Sequence, residues 1–278
     1  MPDKIIDGKE LSRKFLQKIK EQARELDSKP GLAAVLIGDD PSSHLYVKLK
    51  RYACDECEIN FHKYVFEDNQ TDEDIINCIE FLNKDPETTG VIVQLPLPEK
   101  YNTEKIIAAL DYRKDIDGFH PKNQESMKKC DYKIMPPLPL AIIELVNSTK
   151  EIIENKNIVV LCNHKLFGDP FNCHWAKNNT VNILTLEDLG WKKKVAQADI
   201  LIVAIGCVQL ITSDMIKQDA IIIDVGINQL GDIVVGDVDF GGVLKKAKFI
   251  TPVPGGVGPM TIAMLLQNLI ELKKINRT

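Results

Sequence analysis

The hydrophobic positions of this chain follow two patterns that alternate along its length. Near the start, Leu11, Phe15 and Ile19 recur at helical spacing among charged residues, which predicts an amphipathic helix over about residues 8–27. The next hydrophobic segment, residues 31–38, is continuous and bounded by glycine. Such a short apolar run is typical of a strand buried in a parallel sheet, because both of its faces are covered.

The same alternation continues to the end of the chain and indicates an α/β protein. Further strands are predicted at residues 62–66, 90–98, 158–161, 181–186, 199–206 and 220–226. A polar segment rich in turn residues, from Lys114 to about Pro139, divides the strands into two groups. We therefore predict two α/β domains around a cleft, the second a Rossmann-type parallel sheet. The first domain is expected to comprise residues 1–138 joined by a C-terminal helix, 260–278, and the second residues 139–259.

Composition and charge exclude several classes of partner. The 278 residues have a formal net charge of −5, which is not typical of proteins that bind nucleic acid or anionic membranes. No apolar run approaches the roughly 20 residues that a membrane span needs, and the charged N-terminus does not resemble a signal peptide. We expect a cytoplasmic protein without nucleic-acid or membrane partners. The pair Cys54-x-x-Cys57 has no second pair at zinc-finger spacing, so no metal site is expected.

Three unusual segments are expected at the carboxyl ends of strands, where α/β sheets bind ligands. They are residues 94–98, residues 115–119 and residues 251–261. The last has three glycines and three prolines in eleven residues and precedes an apolar run. It predicts a rigid loop that leads into a helix with Thr261 as N-cap. Backbone N–H groups at such a helix start favour an anionic or carbonyl-rich ligand.

Lys50 is the candidate catalytic residue with the clearest chemical rationale. It follows Tyr46 by four residues, so both side chains share one helix face. Burial lowers the pKa of a lysine and allows it to transfer protons near neutral pH. Gln94 is placed to hydrogen-bond that amine, and Asp117 to bind the N–H groups of an amino-pyrimidine ring. Two alternatives remain open: a solvated helix face that includes Lys50, and an ordinary turn aspartate before Gly118.

Several motifs, taken in order, resemble the bifunctional methylenetetrahydrofolate dehydrogenase/methenyltetrahydrofolate cyclohydrolase family. The resemblance extends from about Ile6 to the last helix. The motifs are Gly38–Ser43 with Tyr46-Val47-x-x-Lys50, then Val93–Pro98, Lys114–Phe119, Asp224–Asn228, Gly236–Phe240 and Pro254–Thr261. So many motifs in one order are specific to this family.

The resemblance implies a folate-binding catalytic first domain and a nucleotide-binding second domain. By this resemblance the catalytic residues are Lys50, Tyr46, Gln94 and Asp117: Lys50 activates water or transfers a proton, Tyr46 positions the folate, Gln94 tunes the amine and Asp117 holds the pterin. The implied substrate-binding residues are Tyr46, Gln94, Leu95, Pro96, Asp117, Pro254, Gly255, Gly256 and Pro259. The implied cofactor-binding residues are Asn163, His164, Gly168, Ala204, Gly206, Ile227 and Thr261.

The family resemblance also implies the reaction and its setting. We expect oxidation of 5,10-methylenetetrahydrofolate to the methenyl compound with NADP or NAD, followed by hydrolysis to 10-formyltetrahydrofolate. These steps belong to one-carbon metabolism and supply purine biosynthesis. A homodimer that pairs through the nucleotide-binding domain is also implied.

The chain departs from the family pattern mainly in its second half. Cys162-Asn163-His164 stands where the family has Gly-Arg-Ser, so a glycine and a potential partner for the 2′-phosphate of NADP are missing. Glu187 after a predicted strand favours the free ribose of NAD. His164 and Lys165 remain available to a phosphate. The alternatives are therefore an altered cofactor preference, a cyclohydrolase with weak or lost dehydrogenase activity, and a folate-binding protein without catalysis.

Overall fold

The structure, a computed structural model, describes residues 4–67 and 69–275, and helices alternate with strands through most of them. The helices are α1 (Gly8–Arg24), α2 (Pro41–Glu56), α3 (Asp72–Lys84), α4 (Thr103–Ala108), α5 (Pro121–Lys128), α6 (Pro137–Ser148), α7 (Asp169–Trp175), α8 (Trp191–Val195), α9 (Phe240–Leu244) and α10 (Val257–Ile275). The strands are β1 (Gly31–Ile37), β2 (Asn60–Phe66), β3 (Gly90–Val93), β4 (Asn157–Cys162), β5 (Thr180–Leu184), β6 (Ile200–Ala204), β7 (Ile221–Asp224), β8 (Asn228–Leu230), β9 (Ile233–Val235) and β10 (Phe249–Ile250). The ends of the predicted segments, residues 1–3 and 276–278, lie outside the described residues.

The chain divides into two compact units, which we name by their sheets. The three-stranded unit comprises Arg13–Pro137 and the segment from Ile262 onward. Its sheet is parallel in the order β2-β1-β3, and β1 is buried along its whole length, as its continuous apolar sequence predicts. Apolar residues of α3, among them Ile75 and Ile79, pack on one face of this sheet. Loops follow the carboxyl ends of β1 and β3 at one edge of this sheet.

The five-stranded unit comprises the residues up to Ser12 and Leu138–Thr261. Its parallel sheet has the order β10-β7-β6-β4-β5, with a separate antiparallel hairpin of β8 and β9. Since β5 lies on one side of β4 and β6 on the other, the strand order reverses between β4 and β6. A reversal of this kind is the switch point at which Rossmann-type sheets bind nucleotides beyond their strand ends. The predicted fold class, α/β with parallel sheets and a Rossmann-type second half, is confirmed.

The C-terminal helix begins earlier than predicted. Helix α10 starts at Val257, so Thr261 is not an N-cap, and its hydroxyl donates to Val257 O at 3.1 Å within the helix. Pro259 lies in the first turn of this helix rather than in the loop before it. Proline is tolerated in the first turn of a helix, because the N–H groups there have no partner within the helix.

Two negative observations apply to the described residues. None of the helices among residues 4–67 and 69–275 is both long and apolar enough to cross a lipid bilayer. Within the same residues, no three histidine, cysteine or acidic side chains cluster as metal ligands do. Cys54 and Cys57 are free and buried, and burial raises the pKa of both thiols, that of Cys57 to about 12. They therefore pack as small neutral side chains.

Candidate functional site

The turn between β1 and α2 fixes the start of the helix that bears Tyr46 and Lys50. Gly38 has a φ of 77°, a conformation that glycine adopts without strain. Asp40 then caps α2 by accepting the N–H of Ser43 at 2.7 Å, and this hydrogen bond lowers the pKa of the Asp40 carboxyl. Pro41 follows at the first helical position. The cap therefore fixes the residue at which α2 begins, and with it the positions of Tyr46 and Lys50 along the helix.

Lys50 and Gln94 form the polar contact at the carboxyl end of the three-stranded sheet. Lys50 Nζ donates to Gln94 Oε1 at 3.0 Å. The Gln94 side chain is itself oriented, because its Nε2 donates to Leu95 O at 2.8 Å and its backbone N–H donates to Val35 O at 2.9 Å. Lys50 is half-buried, whereas Lys48 and Arg51 are exposed. The alternative of a solvated helix face thus applies to Lys48 and Arg51 and not to Lys50.

A second aspartate, which the sequence analysis missed, builds the turn around Asp117. Asp115 is buried and accepts the backbone N–H groups of Gly118 at 3.0 Å and His120 at 2.8 Å, together with Asn123 Nδ2 at 2.9 Å. These bonds close the backbone around Asp117. The spacing of Asp115 and Gly118 is the available sequence signal, because aspartates commonly cap turns in this way.

Asp117 and Lys50 interact electrostatically within this unit. The Asp117 side chain retains some solvent contact, yet the surrounding protein atoms desolvate its carboxyl and raise its pKa. The Lys50 ammonium opposes this shift and Asp115 adds to it. Tyr46, one helical turn before Lys50, is half-buried, and burial also raises its pKa. The three-stranded unit therefore brings together a lysine, an oriented amide, a phenol and a desolvated carboxyl, while Leu95 and Pro96 directly follow the amide.

The glycine- and proline-rich loop belongs to the five-stranded unit and packs on the start of α1. Lys9 N donates to Gly255 O at 3.1 Å, and a Cβ at Gly8 would overlap the carbonyl of Gly256. Gly255 has a φ of 111°, which other residues rarely adopt. Pro254, Gly255 and Gly256 thus lie in the loop itself, whereas Pro259 lies in the first turn of α10.

Asn163 and His164 stand at the switch point of the five-stranded sheet. Both are exposed and follow β4 directly. Asn163 Nδ2 donates to Ile205 O at 2.7 Å, which ties the end of β4 to the end of β6. Gly168 lies in the short 3-10 helix Lys165–Gly168 and is buried, and a Cβ there would overlap the Ile183 side chain. The glycine therefore allows close packing between this segment and β5, one of the roles that glycines fulfil in nucleotide-binding turns.

The acidic residues after β5 have different surroundings. Asp188 accepts the Thr185 N–H at 2.7 Å and the Thr185 hydroxyl at 3.1 Å, and Lys165 Nζ lies 3.0 Å from the same side chain. The bond from Thr185 N–H, followed by that from Lys165, lowers the pKa of Asp188. Glu187 is exposed. One exposed acidic side chain, Glu187, and one carboxylate paired with Lys165 therefore lie at the strand end at which a dinucleotide ribose lies in Rossmann-type sheets.

The remaining predicted cofactor residues lie at the ends of β6 and β7. Ala204 ends β6, Gly206 follows it with a φ of 76°, and Ile227 follows β7. A Cβ at Gly206 would meet no atom within 4 Å. The strand reversal and the exposed residues at this edge fit a nicotinamide dinucleotide. Two buried carboxylates near these strand ends were not predicted as site residues: Asp224, which ends β7, and Asp237, which follows β9.

Comparison with known proteins yields consistent matches along the chain. Residues 6–117 match the family model described as tetrahydrofolate dehydrogenase/cyclohydrolase, catalytic domain, and residues 136–277 match its NAD(P)-binding domain. The bifunctional protein FolD of Nautilia profundicola is 42% identical over 278 residues, covering 97% of each chain. The crystal structure of bifunctional FolD from Campylobacter jejuni is 40% identical, with a TM-score of 0.93 and 99% of each chain covered. The Trypanosoma brucei enzyme, solved with NADP and an inhibitor, is 29% identical, with a TM-score of 0.92 and 98% of each chain covered.

Proposed function

The chain belongs to the tetrahydrofolate dehydrogenase/cyclohydrolase family, and we propose that Lys50, Gln94 and Asp117 form its cyclohydrolase site. It is an enzyme of one-carbon folate metabolism with both activities. The dehydrogenase oxidises 5,10-methylenetetrahydrofolate to the 5,10-methenyl compound. The cyclohydrolase adds water to the methenyl carbon, after which the ring C–N bond breaks and 10-formyltetrahydrofolate results.

The hydrogen bond between Lys50 Nζ and Gln94 Oε1, at 3.0 Å, is the observation on which the catalytic proposal rests. An amine held by a neutral amide keeps its remaining positions available for water or substrate. We assign to Lys50 the transfer of a proton between the attacking water and the departing folate nitrogen. A positioned acid–base group of this kind contributes about 10²–10⁴-fold to a reaction rate.

Asp117 and Tyr46 are proposed to position the folate. A carboxyl group in a desolvated turn forms stronger hydrogen bonds to the N–H groups of a pterin than it would in water. The Tyr46 ring is partly exposed one turn from Lys50, so it offers a surface for stacking. Leu95 and Pro96, which follow Gln94, and the segment with Pro254, Gly255, Gly256 and Pro259 are proposed to contact the substrate.

In the dehydrogenase reaction the nicotinamide ring accepts a hydride from the methylene carbon, and the protein aligns the two reactants. We propose that Asn163 and His164 at the end of β4, with Ala204, Gly206 and Ile227 at the ends of β6 and β7, hold the dinucleotide. Gly168 contributes through close packing on Ile183. Thr261 is proposed to contribute from the second turn of α10.

We propose that NAD is preferred over NADP. Asp188 is ionised, accepts the Thr185 N–H and pairs with Lys165. The Lys165 ammonium is therefore already neutralised by a carboxylate. Glu187 adds a second negative charge. A 2′-phosphate would meet these charges without the arginine that the family pattern has, whereas a free ribose would not.

The setting of the enzyme is a further part of the proposal. We expect a cytoplasmic homodimer whose product supplies purine biosynthesis. The β8–β9 hairpin supports pairing through the five-stranded unit, because Leu230 and Ile233 are 47% and 59% exposed there. Light scattering of the purified protein tests the dimer, and a monomer at micromolar concentration would refute it.

The absorbance of methenyltetrahydrofolate tests both activities. One assay starts from methylenetetrahydrofolate with NAD or NADP, and the other starts from the methenyl compound. Lys50→Ala should lower hydrolysis by about 10²–10⁴-fold, while the exposed Lys48→Ala is the matched control on the same helix. Unchanged hydrolysis in Lys50→Ala would remove Lys50 from the catalytic site. Hydrolysis without oxidation in the wild type would favour a cyclohydrolase that has lost its dehydrogenase.

Equilibrium titration with each dinucleotide tests the cofactor preference. NAD should bind more tightly than NADP, and Glu187→Gln should reduce the difference. If NADP binds the wild type as tightly as NAD, Glu187 and Asp188 do not produce a preference for NAD.

A further inference from the structure

Two segments of the five-stranded unit that are proposed to contact the cofactor converge on one buried carboxylate. Asp237 is fully buried. Its Oδ2 accepts the backbone N–H of Ile205 at 2.7 Å and that of Gly206 at 3.0 Å. Its Oδ1 accepts the backbone N–H of Cys207 at 2.9 Å and Asn228 Nδ2 at 2.8 Å. Four donors therefore occupy the two oxygens, which uses the full acceptor capacity of a carboxylate group.

These contacts fix backbone that would otherwise be free to move. The segment Ile205–Cys207 leaves the end of β6, and three successive N–H groups point inward to Asp237. Gly206 and Cys207 are exposed on the other side. Asn228, which donates to the same carboxylate, directly follows Ile227. Gly206 and Ile227 are thus placed by one side chain that lies on neither of their segments.

A second carboxylate holds Asp237 in position. Asp224, at the end of β7, is also buried, and its Oδ1 accepts the backbone N–H of Asp237 at 3.0 Å and that of Gly226 at 3.0 Å. Its Oδ2 accepts the backbone N–H of Val238 at 3.0 Å. The Asp224 N–H in turn donates to the Thr251 hydroxyl at 2.8 Å. Strand β7, the segment around Asp237 and the loop after β6 therefore form one connected network.

Two glycines make room for this pair of carboxylates. A Cβ at Gly236 would overlap Asp224 Oδ2, and a Cβ at Gly226 would overlap Asp237 Oδ1. The Asp224 carboxylate therefore lies against Gly236, next to Asp237, and the Asp237 carboxylate lies against Gly226, two residues after Asp224. A side chain at either glycine would therefore displace a carboxylate of the pair.

We propose that Asp237, supported by Asp224, is a positioning residue of the dehydrogenase half: it holds Gly206 and Ile227 in the conformation that accepts the nicotinamide dinucleotide. This inference rests on the proposed dehydrogenase function. It assigns no contact between Asp237 and substrate or cofactor. Removing the carboxylate should weaken dinucleotide binding and leave hydrolysis by Lys50 intact, because Asp237 holds segments proposed to contact the cofactor, whereas Lys50 and Gln94 lie in the three-stranded unit.

The test compares Asp237→Asn with Asp239→Asn, its neighbour two residues along. The amide in Asp237→Asn retains one acceptor oxygen but turns an NH2 group toward backbone donors. Asp239 caps α9 through Gly242 N–H at 3.2 Å, and asparagine caps helices equally well. We expect the dissociation constant for NAD, measured by titration, to rise at least tenfold in Asp237→Asn and less than twofold in Asp239→Asn. The turnover number for methenyltetrahydrofolate hydrolysis should stay within about twofold of wild type in both.

Hydrogen exchange in the enzyme without cofactor provides a readout independent of turnover. The amides of residues 205–207 should exchange at least tenfold faster in Asp237→Asn, while those of β4 keep their protection. Because Asp237→Asn could fail to fold, Asn228→Ala is the second variant: it removes one donor and keeps the three backbone bonds. It should raise the dissociation constant for NAD about threefold to tenfold.

The outcomes separate this inference from the proposed function. If NAD binding is unchanged in Asp237→Asn and in Asn228→Ala while the wild type oxidises methylenetetrahydrofolate, the positioning role of Asp237 is overturned. Equal losses of hydrolysis and NAD binding would also overturn it, because they would indicate general structural damage. A wild type that binds no dinucleotide would refute the dehydrogenase function itself.

Discussion

The two units of the chain build their sites by different means. In the three-stranded unit, the side chains proposed to act chemically, Lys50 and Gln94, touch each other directly at 3.0 Å. In the five-stranded unit, the residues proposed to meet the cofactor are mostly backbone and apolar groups, and two of them, Gly206 and Ile227, lie on segments held by the buried Asp237. The comparison shows that a site made of reactive side chains depends on a few direct contacts. A site made of backbone groups depends instead on the buried hydrogen bonds that hold the backbone in place.

After Lys50→Ala itself, the largest effect expected in the three-stranded unit follows from removing the partner of Lys50. Gln94→Leu leaves the Lys50 amine without its acceptor, so we expect hydrolysis to fall about 10²-fold while NAD binding stays unchanged. Gln94→Glu keeps an acceptor and adds a negative charge that stabilises the ammonium form. Its pH–rate profile for hydrolysis should move to higher pH. Identical profiles for the wild type and Gln94→Glu would show that Gln94 does not act on the reacting amine.

The strands of both units followed from continuous apolar runs such as residues 31–38, because buried strands of parallel sheets require them. Lys50, Gln94 and Asp117 were proposed from their spacing and their places on a helix, at a strand end and in a turn, and the family resemblance implies the same residues.

Asp115 and Asp237 were not predicted as individual residues. Asp115 accepts the backbone N–H groups of Gly118 and His120, three and five residues along, as an ordinary turn aspartate does. Asp237 accepts backbone N–H groups 30 to 32 residues earlier in the chain, and no local sequence pattern indicates such partners. The N-cap predicted at Thr261 is wrong because α10 begins at Val257, since the first turn of a helix accepts Pro259.

The carboxylate pair of the five-stranded unit should also be visible in the pH dependence of stability. Burial raises the pKa of Asp224 to about 6, with the Asp237 charge contributing, above the ordinary value of an aspartate. A carboxyl with a raised folded-state pKa contributes stability below its unfolded pKa and loses that contribution as the pH rises through the folded value. The difference between the folded and unfolded pKa values corresponds to about 3 kcal/mol.

Urea unfolding between pH 3 and pH 7 measures this contribution. The free energy of unfolding of the wild type, minus that of Asp224→Asn, should fall by about 3 kcal/mol over this range, because the variant has no group to ionise there. Asp232→Asn, which removes an exposed charge in the β8–β9 turn, is the control for net charge. A difference that is constant with pH would show that Asp224 does not ionise in the way its burial requires.

A smaller loss of stability is expected when the space that Gly236 leaves for the Asp224 carboxylate is filled. Gly236→Ala places a methyl group against Asp224 Oδ2, so we expect a loss of about 2 kcal/mol in the free energy of unfolding, within the usual range for overpacking. Gly258→Ala is the matched control, because a Cβ there meets no atom within 4 Å and alanine favours the helix. Equal effects of the two substitutions on urea unfolding would argue against the tight packing of the pair.

The smallest effect expected lies in the five-stranded unit at a position remote from the carboxylate pair, the end of α6. Lys150 is exposed and has a φ of 59°, so it adopts the left-handed conformation that usually ends a helix with glycine. Lys150→Gly removes this strain but increases the entropy of the unfolded chain, and the net gain should be about 0.5 kcal/mol. Lys150→Ala should give no gain, since alanine keeps the Cβ that causes the strain. Thermal unfolding of both variants measures the difference, and a gain without any change in NAD binding would show that stability and cofactor positioning are separable within this unit. A parallel rise in NAD affinity in Lys150→Gly would instead mean that the whole unit, and not the network around Asp237, sets the conformation of the cofactor loops.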